Sequence, residues 1–371
     1  MTRPVVIAAG GTGGHMYPAL SLAAELRARG QPVIVACDPR GRRYLPADAP
    51  ARLIRAGSPS GSITSRLKGL GELAIGFGQS LAFLRRERPV AVAAFGGYAS
   101  VPIGLAAQAL GIPTLLHEQN AVLGRANRLI ARRARRVALT FATTRGAETM
   151  SEANRVVTGN PIRAEVAALR DRPYPLPAPG EPFRLLVIGG SQGARILSDV
   201  LPAAIAMLAP PIRGRIALTQ QCRPEDLKRV SAAYAEIGFA AQLKTFFEDL
   251  PVRLAEAHLA ISRSGASSVA ELLALGRPAL LVPFRLAADD HQRANAEALA
   301  AAKAGEVIGE AELEPAMLAD RISAWVERPQ ELAAMAARAR ELGRPDAARA
   351  LADALEGLAR NPARLAREAL A

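Results

Sequence analysis

Residues 5–26 read VVIAAGGTGGHMYPALSLAAEL, an apolar run that passes through a glycine-rich turn into a helical pattern. Residues 184–205 repeat this pattern as RLLVIGGSQGARILSDVLPAAI, about half a chain later. A strand that enters a helix through glycines places free backbone N–H groups and the positive end of the helix dipole at one spot. Each copy therefore predicts an anion site, usually for phosphate. Two copies predict two nucleotide-type half-domains with a cleft between them, which suits an enzyme that joins two phosphate-bearing molecules.

The composition predicts a two-domain protein with an anionic partner. A chain of 371 residues is too long for one ordinary core, and half of its residues are apolar. The net charge of +13 indicates an anionic binding partner, which could be nucleic acid, an acidic membrane face or phosphorylated substrates. The two cysteines, Cys37 and Cys222, give no disulfide framework or metal spacing, which indicates a reducing cytosol. The N-terminal residues do not read as a signal peptide.

Strand-like and helical segments alternate along both halves, which predicts an α/β fold of two doubly wound parallel sheets. The expected strands are 5–9, 33–37, 90–95, 114–117, 136–140, 155–158, 184–188, 215–219, 240–244, 259–261, 278–282 and 306–308. The proline-rich segment 170–183 marks the join, with a hinge near Asn160. We expect a first domain at residues 1–162, a second at 163–340, and a C-terminal helix at 341–371 that joins the first.

Residues 89–116 carry no charge and are numerous enough to span a bilayer. They also contain Pro89, Pro102 and Pro113 and a glycine pair, which do not suit a membrane helix. The segment is therefore predicted to form a strand, a turn, a helix and a further strand.

The first glycine loop, GGTGGH at residues 10–15, invites comparison with a dinucleotide-binding fingerprint, and Asp38 ends the next strand where a ribose contact would be expected. The fingerprint fails because Met16 stands where a third glycine or alanine belongs. Asp38 is therefore predicted to be a strand-end cap or a turn residue beside Pro39.

Two further turns follow strands of the first half. They are GGYAS at residues 96–100 and HEQN at residues 117–120. In open α/β sheets, ligands bind at the C-terminal ends of the strands. Several such turns at equivalent positions therefore favour a binding site over independent turn chemistry.

The most specific segment reads AISRSGASSVAELLALGRPALLVPF at residues 260–284, followed by DDHQRANAEAL at residues 289–299. Ser264 and Gly265 stand where a helix begins, which combines N-cap chemistry with an anion site. Glu271 lies about one turn into that helix, where its carboxylate can accept two hydrogen bonds from a ribose diol. The alternative for Glu271 is a charge that stabilises the helix dipole.

These motifs, together with TGNPIR at residues 158–163 and GGSQGAR at residues 189–195, resemble the MurG family of bacterial N-acetylglucosaminyltransferases, in order and over nearly the whole chain. The resemblance implies a GT-B fold and inverting transfer of GlcNAc from UDP-GlcNAc to lipid I (undecaprenyl-diphospho-MurNAc-pentapeptide), forming lipid II for peptidoglycan. It also implies no metal and no cofactor, and a peripheral position on the cytoplasmic face of the bacterial inner membrane. Val101 departs from the family, which often has glycine there.

The resemblance also implies the site residues. The donor is expected to contact Thr12, Gly13, Gly14, Asn120, Arg163, Ser191, Gln192, Gly193, Phe246, Phe247, Ser264, Gly265, Glu271, Gln292 and Asn295. The acceptor and its diphosphate are expected to contact Gly11, Gly14, His15, Gly97, Tyr98, His117 and Glu118. His15 is the expected base for the acceptor hydroxyl, since histidine titrates near neutrality. Its alternative role is to bind the acceptor diphosphate.

Several of these residues have structural alternatives. Phe246 and Phe247 fall where the family holds uracil, but core packing is the alternative for both. Gln292 and Asn295 are expected to read sugar hydroxyls or else to form one face of an amphipathic helix. Helix N-termini, backbone amides and Arg163 are expected to stabilise the negative charge on the departing UDP. For this reason no metal is expected.

Residues 63–88 interleave apolar side chains with arginine and lysine, which predicts docking on an anionic membrane surface or, alternatively, a core helix with a basic solvated face. Two alternative functions are those of a UDP-GlcNAc epimerase and of a small-molecule glycosyltransferase. Neither function requires both the HEQN segment and this basic–apolar surface. A nucleic-acid-binding protein would explain the charge. No nucleic-acid partner is expected, because that function leaves the glycine loops unused and no aromatic stacking platform is visible.

Overall fold

The computed structural model describes residues 3–178, 180–190 and 193–360. The chain divides into two compact units, Met1–Arg163 with Asp346–Ala371, and Ala164–Pro345. We call these the first unit and the second unit. Ser191 and Gln192, both expected to bind the donor, lie outside the described residues.

The first unit contains a sheet of seven parallel strands in the order β3-β2-β1-β4-β5-β6-β7. The strands are β1 (Val5–Ala8), β2 (Val33–Cys37), β3 (Ala51–Leu53), β4 (Ala91–Ala94), β5 (Thr114–Glu118), β6 (Arg136–Leu139) and β7 (Arg155–Val157). Val5 of β1 pairs with Val33 of β2 on one side and with Ala91 of β4 on the other. The strand order therefore reverses between β1 and β4, the point at which open α/β sheets bind ligands.

Helices cover both faces of this sheet. They are α1 (Gly13–Ala28), α2 (Pro39–Arg42), α3 (Ile63–Glu87), α4 (Ser100–Ala109), α5 (Arg125–Ala131) and, from the C-terminal segment, α15 (Ala347–Arg360). Successive residues of a strand point to opposite faces. Val5 and Ile7 accordingly pack with α1 and α15, whereas Val6 and Ala8 pack with α3 and α4.

The last described helix, α15, packs against α1. Leu351 and Leu355 are fully buried in that contact. Arg29, which follows α1, forms ion pairs with Asp353 and Glu356 at 2.6 and 3.3 Å. Burial of each leucine contributes roughly 1.5–3 kcal/mol, whereas a half-exposed ion pair contributes about 1 kcal/mol or less. Apolar packing is therefore the main term that holds α15 in place.

The second unit repeats the architecture with six parallel strands in the order β10-β9-β8-β11-β12-β13. These strands are β8 (Phe183–Ile188), β9 (Ile216–Gln221), β10 (Ala241–Lys244), β11 (Leu259–Ser262), β12 (Ala279–Leu281) and β13 (Glu306–Val307). The helices are α6 (Ala164–Ala167), α7 (Arg195–Met207), α8 (Pro210–Arg213), α9 (Pro224–Glu236), α10 (Leu250–Glu256), α11 (Ala266–Leu275), α12 (His291–Ala301), α13 (Pro315–Glu327) and α14 (Pro329–Leu342). Phe183, Tyr234 and Trp325 are the large aromatic residues of its core.

The doubly wound parallel architecture predicted from the sequence is confirmed, and each expected strand is present within two residues of its predicted bounds. The edge strand β3 was not predicted, because it has three residues, of which Arg52 and Leu53 are exposed. His258 lies in the bend between α10 and β11.

The uncharged segment at residues 89–116 forms β4, α4 and β5, as predicted. Within the described ranges 3–178, 180–190 and 193–360, the structure contains no helix with both the length and the apolar character needed to cross a bilayer.

Candidate active site

The first glycine loop connects β1 to α1 at the sheet edge where the strand order reverses. Gly11 adopts a φ of +82°, and its N–H donates to Asp38 Oδ1 at 2.9 Å. Thr12 is the N-cap of α1 but its side chain makes no capping hydrogen bond, and Gly13 and Gly14 form the first turn. The N–H groups of a first helical turn have no partner within the helix. The predicted anion site depends on these N–H groups.

Asp38 organises the neighbouring turn. Its buried carboxylate caps α2 by accepting from Gly41 N–H at 2.9 Å and pairs with Arg40 Nε at 2.8 Å. Burial acts to raise the pKa of Asp38, but the hydrogen bonds from Gly11, Arg40 and Gly41 hold it below its usual value. The cap predicted at this position is confirmed. Sequence reasoning missed the exposed Arg40, whose Nη2 lies 3.6 Å from the position a Cβ would take at Gly11.

The GGYAS turn after β4 lies against the first glycine loop. Gly97 has a φ of +69°, and a Cβ there would lie 3.1 Å from Gly10 O and 3.2 Å from His15 Cδ2. Only glycine fits this combination of backbone conformation and close approach. Tyr98 is half-buried, with its side chain packed against the α4–α5 side of the sheet. The structure thus brings Gly97 next to His15, both of which are expected acceptor residues.

The buried carboxylate of Glu118 holds the loop that follows β5. Its Oε1 accepts from Asn120 N–H at 2.9 Å and Asn120 Nδ2 at 3.2 Å. Its Oε2 accepts from Gly124 N–H at 2.9 Å and from Asn127 Nδ2 at 2.6 Å. Glu118 is only 1% exposed, so both oxygens serve the loop itself.

A chain of polar contacts links the HEQN segment to His15. His117 is fully buried at the end of β5, and its Nε2 lies 3.0 Å from Gly159 O. Gln119 Nε2 lies 3.2 Å from His117 Nδ1, and Gln119 Oε1 lies 3.3 Å from His15 Nδ1. Burial, and to a lesser extent the nearby His15, lowers the pKa of His117 to about 4. His117 is therefore neutral at physiological pH.

The second glycine loop connects β8 to α7. Gly189 N–H donates to Gln221 Oε1 at 3.2 Å, and Gln221 Nε2 donates to Thr245 O at 3.2 Å. Gly193 has a φ of +70°, and a Cβ there would overlap the side chain of Arg223. These contacts fix the described part of the loop at the C-terminal edge of the second sheet.

The start of α11 differs from the sequence expectation. Gly265 is the N-cap residue, and Ser264 is buried with its hydroxyl donating to Gln292 O at 2.8 Å. The helix begins at the predicted turn with Gly265 as its N-cap, whereas the Ser264 side chain turns toward α12 and does not cap. Asn295 is also fully buried and donates through Nδ2 to Ser264 O at 3.0 Å. Gln292 Oε1 accepts from Phe284 N–H at 3.0 Å, so both amides hold this loop.

Glu271 and the two phenylalanines occupy different environments in the second unit. Glu271 lies on α11 and is 7% exposed. Phe247 is buried, with the Arg253 guanidinium 4.8 Å from its ring centre, whereas Phe246 is 67% exposed. Core packing therefore describes Phe247 but not its neighbour.

Arg263, which sequence reasoning missed, fixes the loop after β12. Its guanidinium pairs with Glu310, lies 5.3 Å from the Phe284 ring and donates to Val282 O at 3.0 Å. Glu310 Oε2 in turn accepts from Arg285 N–H at 3.2 Å. The available signal was its position directly between β11 and the serine-rich turn.

Arg163 is half-buried and is the last residue of the first unit, in a segment after β7 that is neither helix nor strand. In the parts of the chain that the structure describes, no group of three or more histidine, cysteine, aspartate or glutamate side chains is placed to hold a metal ion.

Comparison with known proteins matches both halves of the chain to one family. Residues 5–139 match the glycosyltransferase family 28 N-terminal domain, and residues 184–351 match the glycosyltransferase family 28 C-terminal domain. The UDP-N-acetylglucosamine–N-acetylmuramyl-(pentapeptide) pyrophosphoryl-undecaprenol N-acetylglucosamine transferase of Rhodospirillum rubrum is 49% identical over 358 residues, covering 96% of this chain and 92% of its own. The transferase of the same name from Rhodospirillum centenum is 47% identical, covering 96% and 94%.

Solved structures agree with the match. The crystal structure of Acinetobacter baumannii MurG superposes with a TM-score of 0.79 at 30% identity, covering 96% of this chain and 99% of that one. The UDP-GlcNAc 2-epimerase of Neisseria meningitidis superposes with a TM-score of 0.66 at 15% identity, covering 95% of this chain, and shares the fold alone.

Proposed function

The chain belongs to glycosyltransferase family 28, with a GT-B fold, and we propose that it transfers GlcNAc from UDP-GlcNAc to undecaprenyl-diphospho-MurNAc-pentapeptide. The observation that carries this proposal is the similarity of both halves to relatives named for this reaction. The product is the disaccharide-bearing lipid II, and inversion at the anomeric carbon follows from direct displacement.

The donor is assigned to the second unit. The loop around Gly193 and the start of α11 at Gly265 supply backbone N–H groups for the diphosphate. Arg163, the last residue of the first unit, is a further proposed diphosphate contact. Glu271 accepts hydrogen bonds from the ribose hydroxyls, and the exposed Phe246 lies beside the uracil. The electrostatic contribution of these groups grows as negative charge develops on the departing UDP.

The acceptor is assigned to the first unit, where Gly11, Gly14, Gly97 and Tyr98 surround the diphosphate. A hydroxyl oxygen of the acceptor sugar attacks the anomeric carbon of GlcNAc while the bond from that carbon to the UDP phosphate oxygen breaks. The hydroxyl proton passes to His15, and UDP leaves with the bonding electron pair. Such proton transfer typically contributes 10²–10⁴-fold to a rate.

His117 and Glu118 are assigned supporting roles in acceptor binding. Both are buried, and their polar atoms bond to the protein. We infer that they shape the acceptor loop rather than touch the diphosphate. Thr12, Gly13 and Asn120 lie in the first unit. We propose that they nevertheless contact the donor.

A transfer assay tests the proposal. The purified full-length protein is incubated with radiolabelled UDP-GlcNAc and a lipid I analogue, and the products are separated by chromatography. The expected result is a labelled disaccharide lipid together with one UDP per transfer. Release of UDP without a disaccharide, or conversion of UDP-GlcNAc in the absence of acceptor, would support the epimerase-type rival instead.

We further propose that α3 docks on the anionic cytoplasmic face of the bacterial inner membrane. Ile63, Leu67 and Leu70 are 76, 65 and 54% exposed, and Arg66 and Lys68 stand among them. Apolar side chains interleaved with cations suit the interface of an anionic bilayer. The C-terminal half of α3 instead packs on the sheet, where Phe83 and Leu84 are buried and Phe77 and Leu81 are partly buried. Docking is therefore assigned to the N-terminal half alone.

Flotation with anionic phospholipid vesicles tests this assignment. The variant Leu67→Ser/Leu70→Ser is expected to lose most vesicle binding while its soluble fold is retained. Met207→Ser is the matched control, because Met207 is 59% exposed on α7 of the second unit. Equal flotation of all three proteins would contradict membrane docking through α3.

A further inference from the structure

In the hydrogen bonds that link His117, Gln119 and His15, each donor and acceptor can be assigned, starting from the buried His117. Gly159 O is a carbonyl oxygen and can only accept, so His117 Nε2, at 3.0 Å, carries a proton and donates it. His117 is fully buried and neutral, so it has one ring proton. Its Nδ1 must therefore be an acceptor.

The orientation of the Gln119 amide is fixed by the acceptors around its nitrogen. Phe95 O lies 2.8 Å from Gln119 Nε2, His117 Nδ1 lies 3.2 Å from it and His117 O lies 3.4 Å from it. All three can only accept here, so they must face the protons of the amide nitrogen. The oxygen end of the amide must then point the other way, toward His15 Nδ1 at 3.3 Å.

The direction of the last contact decides the protonation of His15. An amide oxygen can only accept, so His15 Nδ1 carries the proton, and in the neutral ring Nε2 carries the lone pair. Nε2 lies on the side of the GGYAS turn, 3.6 Å from the position a Cβ would take at Gly97. In water, the neutral histidine side chain favours the opposite tautomer, so this arrangement needs the support of the protein.

We propose that Gln119 is a positioning residue that holds His15 as the Nδ1–H tautomer, so that Nε2 faces the GGYAS turn as the proton acceptor. The catalytic consequence rests on the role of His15 as the base in the proposed function. The tautomer itself follows from the hydrogen-bond directions alone. Gln119 acts on the reaction through His15 and touches neither substrate.

Nitrogen-15 NMR of the histidine rings tests the tautomer directly. The full-length protein is labelled with ¹⁵N-histidine, and the His15 signals are assigned by their loss in His15→Ala. At a pH where the ring is neutral, the expected spectrum shows a protonated Nδ1 and an unprotonated Nε2. A protonated Nε2 in the unsubstituted protein would overturn the proposal.

Gln119→Met then tests the positioning role, since it keeps a similar volume and removes both ends of the amide. The expected result is a mixture of His15 tautomers and a fall in kcat of about tenfold, the size of one hydrogen bond, with the KM for UDP-GlcNAc unchanged. Gln108→Met is the control, because Gln108 also donates from its side-chain amide to a backbone carbonyl, Ile130 O at 2.7 Å. An unchanged tautomer and unchanged kcat in Gln119→Met would overturn the role of Gln119.

The two readouts separate this inference from the proposed function. If the Nδ1–H tautomer is found but His15→Ala keeps full kcat, the positioning inference stands and the assignment of His15 as the base fails. If His15→Ala loses kcat but the tautomer is Nε2–H, the base assignment stands and the positioning inference fails.

Discussion

The two glycine loops share one backbone design but rest on different side chains. Behind the first loop, His15 is connected through Gln119 to the buried His117. Around the second, Gly189 bonds to the neutral amide of Gln221 and Ser264 bonds to the backbone of α12. The same strand–turn–helix design therefore stands beside a histidine, the proposed proton acceptor, in the first unit and beside fixed dipoles in the second. We propose that proton transfer belongs to the first unit and most of the donor contacts to the second.

The largest expected effect comes from removing the proton acceptor of the first unit. His15→Ala should lower kcat by roughly 10²–10⁴-fold, because the attacking hydroxyl loses its base. The dissociation constant for UDP-GlcNAc, measured by calorimetry, should change by less than about threefold. The control is His291→Ala, since His291 is half-buried at the start of α12 in the second unit. An equal loss of kcat in both variants would contradict the proposal that proton transfer belongs to the first unit alone.

The next effect belongs to the second unit. Glu271→Gln keeps the size of the side chain but removes the charge that strengthens its hydrogen bonds to the ribose. UDP should bind roughly 10- to 100-fold more weakly, with little change in kcat at saturating donor. Glu297→Gln, at an exposed position on α12, is the control. If the affinity for UDP is unchanged in Glu271→Gln, the Glu271 carboxylate does not bind the ribose and only stabilises the helix dipole.

A smaller effect, on stability, is expected from the buried histidines of the two units. Burial is the main cause that lowers the pKa of His117 and of His258 to about 4, below the value of about 6.5 in an unfolded chain. The unfolded state therefore binds more protons between these values, and the folded state loses stability as pH falls from about 6.5 toward 4. Each histidine should cost about 1–2 kcal/mol between pH 7 and pH 5.

Thermal unfolding at pH 7 and pH 5 measures this effect. His258→Asn should show a smaller drop in Tm between the two pH values than the unsubstituted protein does. The absolute Tm of the variant at pH 7 serves as its own reference, because the substitution also removes packing. An identical pH dependence in the two proteins would show that His258 is not kept neutral by the fold.

Metal removal should have the smallest effect. Because the charge on the leaving UDP is assigned to helix N-termini and Arg163, EDTA should change the transfer rate by less than about twofold. The same assay with added manganese should give the same rate. Abolition of activity by EDTA and its rescue by manganese would place the charge stabilisation on a metal instead.

The fold could be predicted because its signals are local. Each strand is an apolar run that ends in a turn, and the parallel order follows from the alternation with helices. The cap at Asp38 was likewise predicted from its place between a strand and a proline. Local signals located the start of α11 at the Ser264–Gly265 turn, but they did not predict that Gly265 is the N-cap and that the serine bonds across to α12.

The supporting contacts of the site could not be predicted in the same way. His15 and Gln119 are far apart in sequence, and the direction of the amide is set by a third segment, at Phe95 O. Arg263 is likewise held by Glu310 from beyond two strands. A sequence pattern shows which residue types are present, but such contacts exist only once the sheet has brought its strand ends together.

The central claim, that the two units perform separate tasks, is tested most directly by a double-mutant cycle between His15→Ala and Glu271→Gln, with kcat/KM for UDP-GlcNAc measured in all four proteins. Separate tasks predict additive losses, with a coupling free energy within about 0.5 kcal/mol of zero. Coupling above about 1.4 kcal/mol, a factor of ten in rate, would contradict the account. It would show that both residues serve a single step.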